Sequence, residues 1–157
     1  MATRALALRL ADARDIAAVE ALMRGAFDPR YGEAWTRNQC LGVMALPGVA
    51  LLMADVDDEP AGFAMTRRVL DEAELLLLAV APAHRGHGVG DALLRAAVEE
   101  AAVGGCVKLH LEVRDGNPAT RLYRRHGFAK VGERRGYYRG VDGVLHDAHS
   151  YSLAVPA

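Results

Sequence analysis

Residues 72–101 read EAELLLLAVAPAHRGHGVGDALLRAAVEEA, and three elements follow from that stretch. Leu75 to Val80 is an unbroken apolar run, short and well bounded, which predicts a buried strand. Further on, Leu93, Leu94, Ala97, Val98 and Ala101 recur at helical spacing, with Arg95, Glu99 and Glu100 on the opposite face. Between strand and helix lies Arg85-Gly86-His87-Gly88-Val89-Gly90. That order aims unsatisfied backbone N–H groups and the positive helix end at an anion. The glycines let the backbone approach a ligand without a Cβ in the way, and Arg85 and His87 add side-chain donors. The turn predicts a phosphate site. Its glycines fall as G-x-G-x-G, so the dinucleotide fingerprint is not met. Asp91-Ala92 also stands where a P-loop carries Lys and Ser or Thr.

Working outward toward the N-terminus, Ala61 to Val69 and Val49 to Val56 read as a strand pair turning at Asp57-Asp58-Glu59. Trp35 to Met44 predicts a short helix and Phe27 to Gly32 a loop. A helix opening at Ala11-Asp12 carries Ile16, Val19, Leu22 and Met23 on one face, and Ala5 to Leu10 reads as a first strand. Toward the C-terminus, Gly104-Gly105 ends the central helix. Val107 to Val113 then alternates, with Lys108, His110 and Glu112 on the face away from Leu109 and Leu111. Asn117-Pro118 is a helix start, and that helix carries Ala119, Leu122, Tyr123 and His126 on one side as far as Gly127. Phe128 to Arg135 and His146 to Leu153 predict the last two strands, joined by a loop that holds Tyr137 and Tyr138. The order β-αα-βββ-α-β-α-ββ predicts an α/β protein with a mixed sheet and helices on both faces.

The 157 residues make one expected domain, 1–157, with 52% hydrophobic and 25% charged residues, the balance of an ordinary globular chain. A net charge of −1 supplies no electrostatic argument for nucleic acid or an anionic membrane. Cys40 and Cys106 make no disulfide framework, and Arg4, Arg9, Asp12 and Arg14 interrupt any leader-like run, so the expectation is a cytoplasmic protein. His84, His87 and the His146-x-x-His149 pair are the histidines a metal would use. No C-x-x-C or H-E-x-x-H accompanies them, and no metal is expected. Cys106, at a strand start, reads as buried.

Three motifs carry a family resemblance. The first is R-x-x-G-x-G (Arg85, Gly88, Gly90) after a strand ending A-V-A-P. The second is L-E-V-R (Leu111 to Arg114) followed by Asn117, Leu122-Tyr123 and Gly127-Phe128. The third is R-R-G-Y-Y (Arg134 to Tyr138) with Asp147-Ala148 nearby. Together they resemble the GNAT N-acetyltransferases along essentially the whole chain, and within them the ribosomal-protein-alanine N-acetyltransferases, which acetylate the α-amine of an N-terminal alanine. The resemblance implies the GNAT fold, a mostly antiparallel central sheet of about seven strands. It implies acetyl-coenzyme A as donor, with Leu78, Ala79 and Val80 along the pantetheine arm and Arg85, Gly86, His87, Gly88, Val89 and Gly90 at the pyrophosphate. Asn117 and Tyr123 complete the expected cofactor contacts. Two departures stand out. Five residues, Pro118 to Leu122, separate Asn117 from Tyr123 where the family usually has six, and His146 and His149 bracket Asp147-Ala148 where relatives tend to be apolar.

Acetyl transfer to an amine needs a base, because an α-ammonium with a pKa of about 7.7–8.0 is no nucleophile. It also needs donors for the developing oxyanion, a proton donor for the leaving thiolate, and alignment of both substrates. By the resemblance Glu112 is the base, Tyr123 the acid, and a backbone N–H near Val80 the oxyanion donor. Tyr137 and Tyr138 resemble an acceptor-peptide clamp, and Trp35 sits in the region that borders the acceptor. Each residue has a plainer alternative: Glu112 paired with Lys108, His110 or Arg114 on the sheet surface, Tyr123 and Trp35 as core, Tyr137 and Tyr138 as solvent-facing aromatics. The expected acceptor is a protein or peptide N-terminus on a monomeric or dimeric enzyme. A small-molecule amine or lysine acceptor, and a non-catalytic acyl-coenzyme A sensor, are the competing readings.

Overall fold

Seven strands form a continuous sheet in the computed structural model, which describes residues 5–156; the extreme ends of the expected 1–157 domain lie outside the described residues. The strands are β1 (Leu6–Ala11), β2 (Val49–Val56), β3 (Glu59–Val69), β4 (Glu72–Val80), β5 (Lys108–Arg114), β6 (Ala129–Arg139) and β7 (Leu145–Ala154). Helices α1 (Ile16–Ala26) and α2 (Arg37–Met44) come between β1 and β2, α3 (Val89–Val103) between β4 and β5, and α4 (Ala119–Arg125) between β5 and β6. The spatial order is β1-β2-β3-β4-β5-β7-β6. Every neighbouring pair is antiparallel except β4–β5, which is parallel. A parallel pair cannot be closed by a tight turn, and α3 supplies the crossover. The β2–β3 hairpin turns on Asp57 and Asp58, both at positive φ (51° and 67°), a conformation that Asp tolerates better than most residues.

The sheet separates two apolar clusters. On one face Leu93, Leu94 and Ala97 of α3 pack against Leu52, Ala54, Leu109, Leu111 and Tyr151. On the other, Val19 and Met23 of α1 and Cys40 of α2 cover Met53, Phe63, Met65 and Leu77. Leu93 and Leu94 are fully buried, and burying each side chain contributes about 2 kcal/mol. Among the described residues no helix is long and apolar enough to cross a membrane.

Strand β4 departs from the expected fully buried run. Its register against β3 steps from Met65↔Leu77 to Thr66↔Leu75, so Leu76 is an extra, bulged residue. Before the bulge Ala73 and Leu75 face the α3 cluster; after it Leu77 and Ala79 face the α1–α2 cluster. The bulge reverses which side the odd-numbered residues occupy. Leu76, Leu78 and Val80 are only half-buried, because β4 and β5 pair only from Glu72–Lys108 to Leu75–Leu111. Beyond that point the two strands part, and the edge of β4 has no strand against it.

Other expectations need adjustment. Tyr137 and Tyr138 belong to the end of β6 rather than to a loop. Here too the ladder is irregular, passing from Arg134↔Ala148 to Tyr138↔His146. Gly136 adopts φ +60° in the bulged segment and donates its N–H to Asp147 Oδ1 at 2.8 Å. The first helix is delayed: Asp12 caps a 3-10 turn at Ala13–Asp15, and α1 begins at Ile16. Trp35 precedes α2, whose N-cap is Thr36 in a reciprocal capping arrangement with Gln39.

Candidate active site

The parting of β4 and β5 opens a cavity of about 830 Å³, floored by both strands and walled by the turn before α3, by α4, by the segment after α1 and by the end of β6. Every residue expected at the site lines it except His87. Stretches that are distant in sequence therefore meet at one place.

At one end is the turn. Gly86 and Gly88 adopt φ of +77° and +82°, and a Cβ at either would meet nothing within 4 Å, so space for a ligand lies beside the backbone. Gly88 is the N-cap of α3 and no side chain caps that helix. The first-turn N–H groups of a fifteen-residue helix are thus left for an anion. Arg85 lines the cavity, and its guanidinium donates to the Ala26 carbonyl at 2.9 Å, tying the turn to the end of α1. Two α4 arginines not foreseen from the sequence, Arg121 and Arg125, line the cavity as well. Arg125 at 3.0 Å and His126 at 2.8 Å both engage Asp91 in the first turn of α3. His126, then Arg125, hold the Asp91 carboxyl below the usual carboxylate range.

At the reacting centre, Tyr123 is 6% exposed and stacks edge-on to Phe128, ring centres 5.9 Å apart. Burial, and secondarily the Glu33 carboxylate, push its phenol well above the ordinary value. Among the described residues the Tyr123 hydroxyl has no hydrogen-bond partner. Glu112 has a side chain 15% exposed, paired neither with Lys108, His110 nor Arg114. Ser150 donates its hydroxyl to Oε2 at 2.5 Å and Arg134 Nε lies 3.2 Å from Oε1. Ser150 stands directly opposite Glu112 in the β5–β7 ladder. A carboxylate offers about four lone-pair sites, so two such partners orient it and leave acceptor capacity toward the cavity. Arg134 belongs to the R-R-G-Y-Y motif, whereas Ser150 carries no local sequence signal.

The remaining wall is aromatic. Tyr137 and Tyr138 pack edge-on at 4.9 Å, and the Tyr138 hydroxyl donates to the Glu112 carbonyl at 3.4 Å. Burial raises both phenols, with Glu33 the next contributor at Tyr138 and Glu112 at Tyr137. Trp35 is half-buried and packs on the α1–α2 cluster while lining the cavity. Residues 28–33 close against residues 139–146: Val141 N–H donates to the Pro29 carbonyl at 3.1 Å, and Tyr31 meets His146 edge-on at 5.2 Å. Gly32 is required there, since a Cβ would lie 1.9 Å from the Arg139 carbonyl oxygen. Asn117 Oδ1 accepts the Ala119 N–H at 2.9 Å, capping α4, while its Nδ2 donates to Glu33 Oε2 at 2.7 Å. His149 sits near Asp115 and Glu133, and Cys40 and Cys106 are free and buried.

Residues 16–128 match the model of the acetyltransferase (GNAT) family. The chain belongs to that family. Within it, a [ribosomal protein bS18]-alanine N-acetyltransferase of Salmonella typhimurium is 42% identical over 93 residues, 59% of this chain and 63% of the relative. The match thus spans less than two thirds of that relative's length. The enzyme of the same name from Haemophilus ducreyi is 38% identical over 115 residues, 73% of this chain and 79% of the relative. The crystal structure of the ribosomal-protein-S18-alanine N-acetyltransferase of Escherichia coli superposes with a TM-score of 0.85 at 29% identity, covering 98% of this chain and 96% of that one. The GNAT fold expected from the motifs is the fold observed.

Proposed function

We propose that this GNAT protein is an acetyl-coenzyme A-dependent N-acetyltransferase of the cytoplasm, acting on the N-terminal α-amine of a protein, an alanine-leading ribosomal protein in the first instance. The observation that carries the reading is the meeting of Glu112, Tyr123 and the anion-binding turn in one cavity. The names of the relatives supply the acceptor.

The residues present fit the cofactor. The uncapped first turn of α3 and the open space beside Gly86 and Gly88 suit a pyrophosphate, with Arg121 at hand. The edge of β4 from Leu76 to Val80 offers strand-type N–H and C=O groups to an extended amide-bearing arm. Acetyl-coenzyme A supplies an acetyl group activated as a thioester. Glu112, oriented by Ser150 and Arg134, accepts the proton the acceptor amine must lose. Tyr123 lines the cavity with its proton held firmly by burial and would donate a hydrogen bond to the leaving sulfur. Full transfer from a phenol near 10 to a thiolate near 8.5 is uphill by about 2 kcal/mol, and the raised phenol makes it more so. A backbone N–H on the free edge of β4 would be available to the negative charge that develops on the thioester oxygen. Tyr137, Tyr138 and Trp35 shape the acceptor end.

The test is mass spectrometry of a peptide panel incubated with the pure protein and acetyl-coenzyme A. The panel carries free N-termini beginning with Ala, Ser, Met or Gly, plus one N-blocked lysine peptide. A single acetyl on the alanine-leading peptide is the expected result. Labelling at lysine alone would overturn the acceptor, and coenzyme A binding with no transfer to any peptide would overturn the peptide reading.

A further inference from the structure

Glu33 lies between α1 and α2 in a stretch with no periodic signal, and its side chain is only 9% exposed. Its Oε1 accepts Nε–H of Arg114, itself 11% exposed, at 3.0 Å, and its Oε2 accepts Nδ2–H of Asn117 at 2.7 Å. Those partners are neighbours of the groups assigned base and acid. Arg114 ends β5 two residues after Glu112, and Asn117 caps α4 six residues before Tyr123. One carboxylate thus grips the end of the strand that carries Glu112 and the start of the helix that carries Tyr123. The same arginine lies 3.6 Å over the Tyr31 ring, and Tyr31 packs on His146, so the grip extends to the lip closing the acceptor end.

We propose that Glu33 is a positioning residue: through Arg114 and Asn117 it sets the placement of Glu112 relative to Tyr123 and couples that placement to the acceptor lip. The inference rests on the acetyl-transfer reading above. An enclosed ion pair is a costly way to fasten a loop, since an apolar plug of the same volume stabilises as well or better. What the carboxylate adds is direction, because its two oxygens take one donor from each catalytic element. The arrangement also explains how the shortened Asn–Tyr spacing is accommodated. The side chain of Asn117 is spent on capping α4 and on Glu33, and the helix starts where that double contact puts it.

The experiment uses whichever panel peptide the wild-type protein acetylates. For Glu33→Gln, kcat is expected to fall about 10- to 100-fold, as misplacements of the order of 1 Å do. The acceptor KM, the coenzyme A Kd by calorimetry and the circular dichroism spectrum stay near wild type. In a Tyr123→Phe background the same substitution is expected to cost less than about threefold, because groups acting as a unit are not additive. Asn117→Asp is the second variant: it keeps the oxygen that caps Ala119 and replaces the bond to Glu33 by repulsion, so it should show the same loss and the same non-additivity even if Glu33→Gln folds poorly. An unchanged kcat in both variants, or a loss that multiplies in full with Tyr123→Phe, would overturn the positioning role. A rise confined to acceptor KM would overturn it in favour of direct contact between Glu33 and the acceptor. If the wild type acetylates nothing, the catalytic reading and this inference fall together; if it does and both variants match it, only this inference falls.

Discussion

Replacing Tyr123 by Phe removes one oxygen and leaves the ring. The ring is buried against Phe128, and that packing survives. The hydroxyl has no hydrogen-bond partner among the described residues, so its loss strands no buried group, and stability should change by less than about 0.5 kcal/mol. Catalysis should change far more. A hydrogen bond to a group that becomes charged is worth about 1.5–3 kcal/mol, which corresponds to a roughly 10- to 150-fold fall in kcat. The pH profile is a second check. Burial first, and Glu33 second, raise the phenol above its ordinary value, so the protonated donor persists to higher pH than a free tyrosine, whose pKa is about 10. Tyr123 therefore adds no alkaline limb below about pH 10. The assay is steady-state release of free thiol from acetyl-coenzyme A in the presence of an acceptor peptide, with thermal unfolding alongside. A variant with wild-type kcat refutes the role, as does a wild-type alkaline limb below pH 10 that disappears on substitution.

Glu112→Gln keeps the shape that Ser150 and Arg134 grip but abolishes the base, and kcat should fall about 10²- to 10⁴-fold; Ser150→Ala, which removes only an orienting bond, should cost clearly less in the same assay. Gly32→Ala places a Cβ against the Arg139 carbonyl at positive φ, so urea unfolding should show a loss of about 1–3 kcal/mol. Acceptor KM should rise while coenzyme A Kd, read by calorimetry, holds. Asp91→Asn removes a carboxylate whose pKa is depressed by His126 and then Arg125. A depressed carboxylate stabilises above its unfolded pKa of about 3.9 and loses that contribution as pH falls through its folded value. The gap in unfolding free energy between wild type and variant, read from urea titrations, should therefore be at most about 1 kcal/mol at pH 7 and close in acid. A gap that stays constant down to pH 2 would contradict this account.

Much of the site was legible because its chemistry sits in short motifs. A glycine turn between a strand and a helix is a local device, set by glycine positions, and Gly86 and Gly88 take positive φ ahead of an α3 that no side chain caps. The alternation in Val107 to Val113 placed Glu112 off the core face correctly, and Tyr123 fell on the inner side of its helix. Neither motif could show what each side chain would meet. Arg85, for one, bonds the Ala26 carbonyl, a partner 59 residues away that no motif contains.

By itself, then, the sequence determined the order of elements, the glycine turn ahead of α3 and the residue types that an acetyl transfer needs, since these depend on periodicity and spacing within a few residues. Tertiary structure alone decided three things. Leu76 bulges out of β4 and reverses its faces, which a run of four leucines conceals because any of them satisfies either face. β4 and β5 part after Leu75 and Leu111, and that parting creates the cavity. Glu33 finds Arg114 and Asn117 across 81 and 84 residues of chain. Such pairings follow from where the folded backbone brings distant segments together, and no local pattern encodes them.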